Sequence, residues 1–300
     1  MIGVTGVALG GVILAVLAAM GFALEAILAK RGIAAGGSPI LASLMVAGIA
    51  IIVYWAAVGI VVDLSTFMTR DTSAFVVFLF AGAVGSGLGI LAIYQGVDRV
   101  GASVNTAVVN SRPLFAAILG FLFLGETLAP TTVFGIIVLV GGLIVIVLSK
   151  GGDITGWQAS DLLFPLLAAS AFAIGNVVRR YGLTRIEISV VEAIAINAVG
   201  GFAVLACYVA FIRGPSILYA PRRAYLWFTC TGLTTALALL ALFGALERER
   251  VAIVDSIAAT APLFALLLTV VFLRELEVVT LRVLLGVGLV VGGGVLIVGL

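Results

Sequence analysis

Residues 109–128, VNSRPLFAAILGFLFLGETL, return at 257–277 as IAATAPLFALLLTVVFLRELE, with Pro-Leu-Phe-Ala and a closing Glu in register. At a constant offset of 149, residues 92–126 and 241–275 share Ala92, Arg99, Pro113, Leu114, Phe115, Ala116, Leu119, Phe123, Leu124 and Glu126. Two extra residues after Glu275 then bring Gly135, Gly141 and Gly142 onto Gly286, Gly292 and Gly293, and at an offset of 150 Phe22-Ala23 and Gly32 match Phe172-Ala173 and Gly182. A chain that writes one half twice folds as two like halves. The number of helices in each half decides how they face one another.

Hydropathy supplies that number. The chain is 63% apolar and 10% charged, against about 25% charged in soluble domains, which is the composition of a membrane protein. A hydrocarbon core of about 30 Å takes about 20 helical residues per crossing. Cutting at charges, prolines and turn clusters leaves ten segments, near 4–29, 40–62, 74–97, 103–124, 130–149, 160–181, 188–211, 224–246, 251–273 and 279–300. The predicted fold is therefore an all-α integral membrane protein of ten transmembrane helices, in repeats of five covering residues 1–149 and 150–300. Because five is odd, the second repeat enters from the opposite face and the two are inverted, with a binding site between them near the midplane. The run Val4–Ala29 has no preceding positive charge and no small-residue cleavage site, so it reads as a retained first helix rather than a signal peptide.

Composition also excludes several classes of function. There is no histidine, and Cys207 and Cys230 lie alone in apolar stretches, which points to no zinc site and no disulfide framework. No serine or cysteine stands beside an evident base, so no enzyme, metal or cofactor is expected. A net charge of +2 without a basic cluster gives no footprint for nucleic acid. Gly85-Ser86-Gly87-Leu88-Gly89 has neither the lysine nor the preceding strand of a phosphate loop, leaving a proton or substrate gradient as the expected drive. The expected partners are a small-molecule substrate and the lipid bilayer. Gly82, Gly85 and Gly89 in helix three, with Gly286, Gly288 and Gly292 to Gly294 in helix ten, suit close helix packing, and in helix ten also contact with a second copy as a homodimer.

The polar residues that remain in apolar helices are the candidates for chemistry, because a charge at the bilayer centre costs about 2.5–3.5 kcal/mol on insertion scales. Arg112 lies mid-segment where the second repeat has Ala261. It is either the guanidinium anchor of a substrate carboxylate or phosphate, or the structural partner of a buried acid such as Asp255, Glu192 or Glu25. Ser103, Thr106 and Asn110 form one face of helix four, and Ser256 and Thr260 one face of helix nine; they are cavity donors or interhelical hydrogen bonds. Asn176 has the same two readings. Tyr94 and Gln95, with Ser86, Thr234 and Thr235, are further candidates to line the space. Pro113 and Pro262 remove backbone donors at membrane depth and act as hinges or static bends. Glu25 pairs with Lys30 or Arg31, or, with Asp255, serves proton coupling. Glu126 and Glu275 close helices four and nine, next to helices five and ten whose first turns favour a carboxylate.

Ten short-looped helices, Pro113 and Pro262, Leu-Gly-Glu at 124–126 with its echo Leu-Arg-Glu at 273–275, and glycine-rich helices five and ten resemble the drug/metabolite transporter superfamily, in particular its EamA-like members. The likeness covers the whole chain. It implies a secondary carrier exporting amino acids or other small metabolites by alternating access, with helices one to four and six to nine around a cavity and helices five and ten outside. Many such proteins carry Trp-Gly in the first helix where this chain has Met20-Gly21. A basic mid-membrane charge favours carboxylate-bearing solutes; the alternatives are an exporter of cationic compounds, which would want an acidic, aromatic cavity, and a non-transporting scaffold. The resemblance further implies a bacterial inner-membrane protein with cytoplasmic termini. Counting Lys and Arg gives nine on the side opposite the termini and six on the terminal side (Arg70, Arg179, Arg180, Arg185, Arg248, Arg250), a weak lean the other way under the positive-inside rule.

Overall fold

The computed structural model describes residues 9–63, 65, 67, 69–148, 158–272 and 281–298; Lys150, the Leu-Arg-Glu echo and the Glu275 cap lie outside them. Ten helices follow one another: α1 Leu9–Ala34, α2 Pro39–Val61, α3 Thr72–Gly101, α4 at residues 102–124, α5 Pro130–Leu148, α6 Ala159–Arg185, α7 Val190–Arg213, α8 Arg222–Arg248, α9 at residues 251–272 and α10 Leu281–Val298. Among the described residues six, α1 to α3 and α6 to α8, are long and apolar enough to cross a membrane, and α4, α5, α9 and α10 contain shorter apolar stretches.

Local chemistry sets the ends. Ser38 caps α2 ahead of Pro39, Asp71 caps α3 by accepting from the Ser73 amide, and Ser189 with Glu192 forms a capping box on α7. The chain passes from α3 to α4 at Gly101, whose φ of 79° lies in the left-handed region that glycine enters without a Cβ penalty.

Packing reveals the pseudo-two-fold relation between the repeats. α1 packs on α8 as α6 packs on α3; α4 packs on α6 as α9 packs on α1; α2 meets α7, and α5 meets α10. The α5–α10 seam is built of glycine. A Cβ on Gly135 would lie 2.9 Å from the Gly293 carbonyl oxygen, and one on Gly142 would lie 2.8 Å from that of Gly286. These glycines thus serve contact within the chain, while Gly288 and Gly292 face open space. Large apolar side chains such as Ile52, Ile60, Phe121, Phe123, Phe211 and Leu237 stand on the outside, as expected where lipid replaces water.

Both repeats interrupt the same helix at the same place. α4 breaks at Asn110–Ser111, before Arg112-Pro113, and α9 breaks at Ala259–Thr260, before Ala261-Pro262. Proline cannot donate to the carbonyl one turn back, so a hydroxyl does the local stitching. Ser111 donates to the Val108 carbonyl and Thr260 to that of Ile257, each at 2.6 Å.

Candidate functional site

A cavity of about 520 Å³ lies between the halves. It is lined on α1 from Phe22 to Ile33 and on α2 from Pro39 to Tyr54, so it runs inward from the α1–α2 end and stops near the middle of the bundle. Ion pairs tie the opposite end of the helices together. Arg70 grips Glu192 with two N–H groups at 3.0 and 3.2 Å. Arg180 lies 3.3 Å from Glu126 and donates to the Leu246 and Glu247 carbonyls at the end of α8.

Glu126 does not cap α5, the next helix in the chain. Its carboxylate accepts from the Val251 amide, at 3.1 Å to the nearer oxygen, and so caps α9 in the other repeat, where the first amides of a helix welcome negative charge. Burial pushes the Glu126 carboxyl above its ordinary range, against the pull of Arg180 and the Val251 amide.

A chain of polar contacts crosses the floor of the cavity through five helices. Arg112 Nε on α4 lies 3.2 Å from Asp255 Oδ1 on α9. Asn176 on α6 donates to the same oxygen at 2.6 Å, while its own carbonyl oxygen accepts from Arg179 Nη1 at 2.6 Å. Arg179 continues to Asn197 Oδ1 on α7 at 3.0 Å and to Ser86 Oγ on α3 at 2.7 Å. Aromatic rings flank both guanidiniums, Phe172 at 5.9 Å from Arg112 and Phe243 at 5.3 Å from Arg179. The glycines of α3 allow this convergence. A π-helical stretch at Gly82–Leu88 carries Ser86, and a Cβ on Gly82 would stand 1.9 Å from the Asn197 carbonyl oxygen, so only a bare backbone brings α3 this close to α7.

Of the residues singled out in the sequence, Arg112, Asn110, Tyr94, Asn176, Glu25, Ser86, Thr235 and Pro262 line the cavity. Gln95, Thr106, Thr234, Ser256, Thr260, Asp255 and Pro113 are not among its lining residues. Ser256 turns back to its own helix and donates to the Ala252 carbonyl at 2.7 Å. Tyr94 sits at the mouth, donating to the Pro39 carbonyl at 2.7 Å beside Ser43. Glu25 has no ion pair with Lys30 or Arg31 among the described residues; its carboxylate faces the cavity beside the Thr235 hydroxyl, while Arg31 lies over the Trp227 ring. Glu192 is the partner of Arg70, not of Arg112. Met20 faces outward, away from the cavity, and Gly21 packs against Ala238. Arg179, counted with the cations of the terminal end, is instead 3% exposed and lies within the bundle. Asn110 Nδ2 is buried without an acceptor, and Arg112 Nε meets Asp255 as an ion pair without a well-formed hydrogen bond.

Comparison with known proteins bears on the whole chain. A model of the EamA-like transporter family matches residues 9–148 and again residues 159–299. The WAT1-related protein At3g02690, chloroplastic, of Arabidopsis thaliana is 31% identical over 91 residues, 29% of this chain and 22% of that protein, so the chain covers less than a quarter of that relative's length. A crystal structure of a protein 18% identical in sequence has a TM-score of 0.79 over 95% of this chain and 97% of that one, a likeness of fold.

Proposed function

This chain belongs to the EamA-like transporter family; from that premise we propose that it is a multi-pass membrane transporter of small molecules, a secondary carrier exporting carboxylate-bearing metabolites, amino acids foremost, by alternating access. The observation that carries the reading is the convergence of two guanidiniums, Arg112 and Arg179, and the Asn110 amide on the lining of one cavity. Buried polar groups are almost always hydrogen-bonded, and guanidinium and amide groups gathered around one cavity suit a ligand that accepts. A carboxylate does so with charge assistance. In this reading the breaks before Pro113 and Pro262 are the hinges, and the Glu126–Arg180 and Arg70–Glu192 pairs part when the cavity opens to the other side.

The test is counterflow of radiolabelled amino acids and small organic anions into liposomes holding the purified protein, with Arg112→Lys beside it. Lysine keeps a cation for Asp255 but loses the guanidinium donors. The expected result is a folded variant whose transport of the carboxylate-bearing solute drops about tenfold or more. Equal transport by the variant would remove Arg112 from the binding site. Glu25, a carboxylate without a salt bridge, favours the alternative of cationic compounds, and a lipophilic cation in the same panel tests it.

A further inference from the structure

Helices related by the repeat bring opposite charges to the interior of the bundle. α1 brings Glu25 and its counterpart α6 brings Arg179; α4 brings Arg112 and its counterpart α9 brings Asp255. Arg112 and Asp255 close to 3.2 Å and largely cancel. One cation and one anion are then left over. Arg179 makes three hydrogen bonds, all to neutral oxygens, on Asn197, Asn176 and Ser86; Asp255 attracts it electrostatically, but its carboxylate is bound by Arg112 and Asn176 and forms no ion-pair contact with Arg179 among the described residues. A guanidinium has five N–H donors, so two of them are not accounted for. Glu25 has no cation beside it among the described residues, only the Thr235 hydroxyl. Both groups line the cavity. Tyr54 stands within electrostatic reach of both, with its hydroxyl committed to the Ala236 carbonyl at 2.7 Å.

A charge buried without a counter-ion is costly, and a ligand that supplies one relieves that cost. We propose that Arg179 and Glu25 are the two poles that read the substrate, the guanidinium taking its carboxylate and Glu25 its ammonium group, so that the cavity selects zwitterions. The Arg112–Asp255 pair sets the wall against which the carboxylate lies, and the donors of Asn110 and Arg112 complete its shell. Phe22, Ile90, Ile93 and Leu239 line the remainder and suit an apolar side chain. The proposal rests on the reading of the cavity as a carboxylate-binding carrier site and narrows it to one class of solute.

Two near-isosteric variants test it in opposite directions. Asn197→Asp hands Arg179 an internal carboxylate and turns the balance of the site negative; Glu25→Gln removes the other pole and turns it positive. Binding of leucine, of its deaminated acid isocaproate and of its decarboxylated amine isoamylamine is measured by titration calorimetry on the purified full-length protein. Wild type is expected to prefer leucine. Each variant is expected to lose about 30-fold or more in leucine affinity, with Glu25→Gln now preferring isocaproate and Asn197→Asp preferring isoamylamine. Either variant alone, if the other fails to fold, carries the test through its reversed preference. If wild type binds leucine and a folded variant keeps the wild-type order of the three probes, this proposal falls while the carrier reading stands. If folded wild type binds none of the three, both fall.

Discussion

The Arg112–Asp255 pair makes a quantitative demand on stability. Two unit charges 3.2 Å apart attract by about 5 kcal/mol at an effective dielectric of about 20, and much of that is offset by desolvation of both groups. The two ends are not alike. Asp255 is fully enclosed, whereas the Arg112 side chain is 18% exposed on the cavity wall. Arg112→Ala therefore leaves an enclosed carboxylate without its ion-pair partner, held by the Asn176 amide and the more remote charge of Arg179, at a cost of about 3 kcal/mol or more. Asp255→Ala leaves a guanidinium that cavity water can solvate, nearer about 2 kcal/mol. The double variant removes both charges, so its loss should fall short of the sum by about 2–3 kcal/mol. Equilibrium unfolding in mixed detergent micelles, followed by circular dichroism across the four proteins, measures that coupling. Additivity within about 0.5 kcal/mol, or a larger loss for Asp255→Ala than for Arg112→Ala, would refute the reasoning.

Two further expectations follow from packing and from the ion-paired end. Gly82→Ala puts a Cβ 1.9 Å from the Asn197 carbonyl oxygen and has to push α3 off α7, so it should lower stability by about 3 kcal/mol; Gly288→Ala, with nothing within 4 Å of its Cβ, should be neutral or raise stability by about 0.5–1 kcal/mol through helix propensity. The same micelle assay compares them, and equal effects would contradict the packing. Glu126, in the turn after α4, has its carboxyl pushed above the ordinary 4.5 chiefly by burial. The folded state then holds this proton at pH values where the unfolded chain has lost it, so this carboxyl's contribution to stability falls as pH rises from 4.5 through the raised value. Glu126→Gln should remove that slope from the pH dependence of the melting temperature, and an unchanged slope would assign it to another group.

Much of this fold was legible because the physics that sets it is local. Apolar runs of bilayer length, the turn cluster ending at Gly101 and the prolines at 113 and 262 all act within a few residues. What escaped was what depends on depth and on partners far along the chain. Arg179-Arg180 reads as a pair of interfacial cations, since a hydropathy window does not register that α6 continues to Arg185 and so carries Arg179 well inside the bundle. A signal was present in Asn176 and Arg179, spaced i, i+3 on a helix whose neighbours are Ala, Gly and Val. Glu126 reads as the cap of the helix that follows it, and only the meeting of the two repeats puts Val251 of the other half against its carboxylate.

The repeat itself hid the charge pattern. Position by position, Glu25 aligns with Gly175, Arg179 with Ala29, Arg112 with Ala261 and Asp255 with Thr106, so each charge looks like an isolated departure from symmetry. The departures are complementary once the helices come together. A two-fold axis maps every charge onto a like charge across the cavity, and two identical halves would present a dipolar solute with like poles facing each other. Opposite poles require counterpart helices to differ in sign, as α1 and α6 do, and as α4 and α9 do. Countering one of them is therefore a sharper perturbation than deleting it: Asn197→Asp keeps the oxygen that accepts from Arg179 Nε and, in the proposed site, reverses which end of the solute the floor of the cavity accepts.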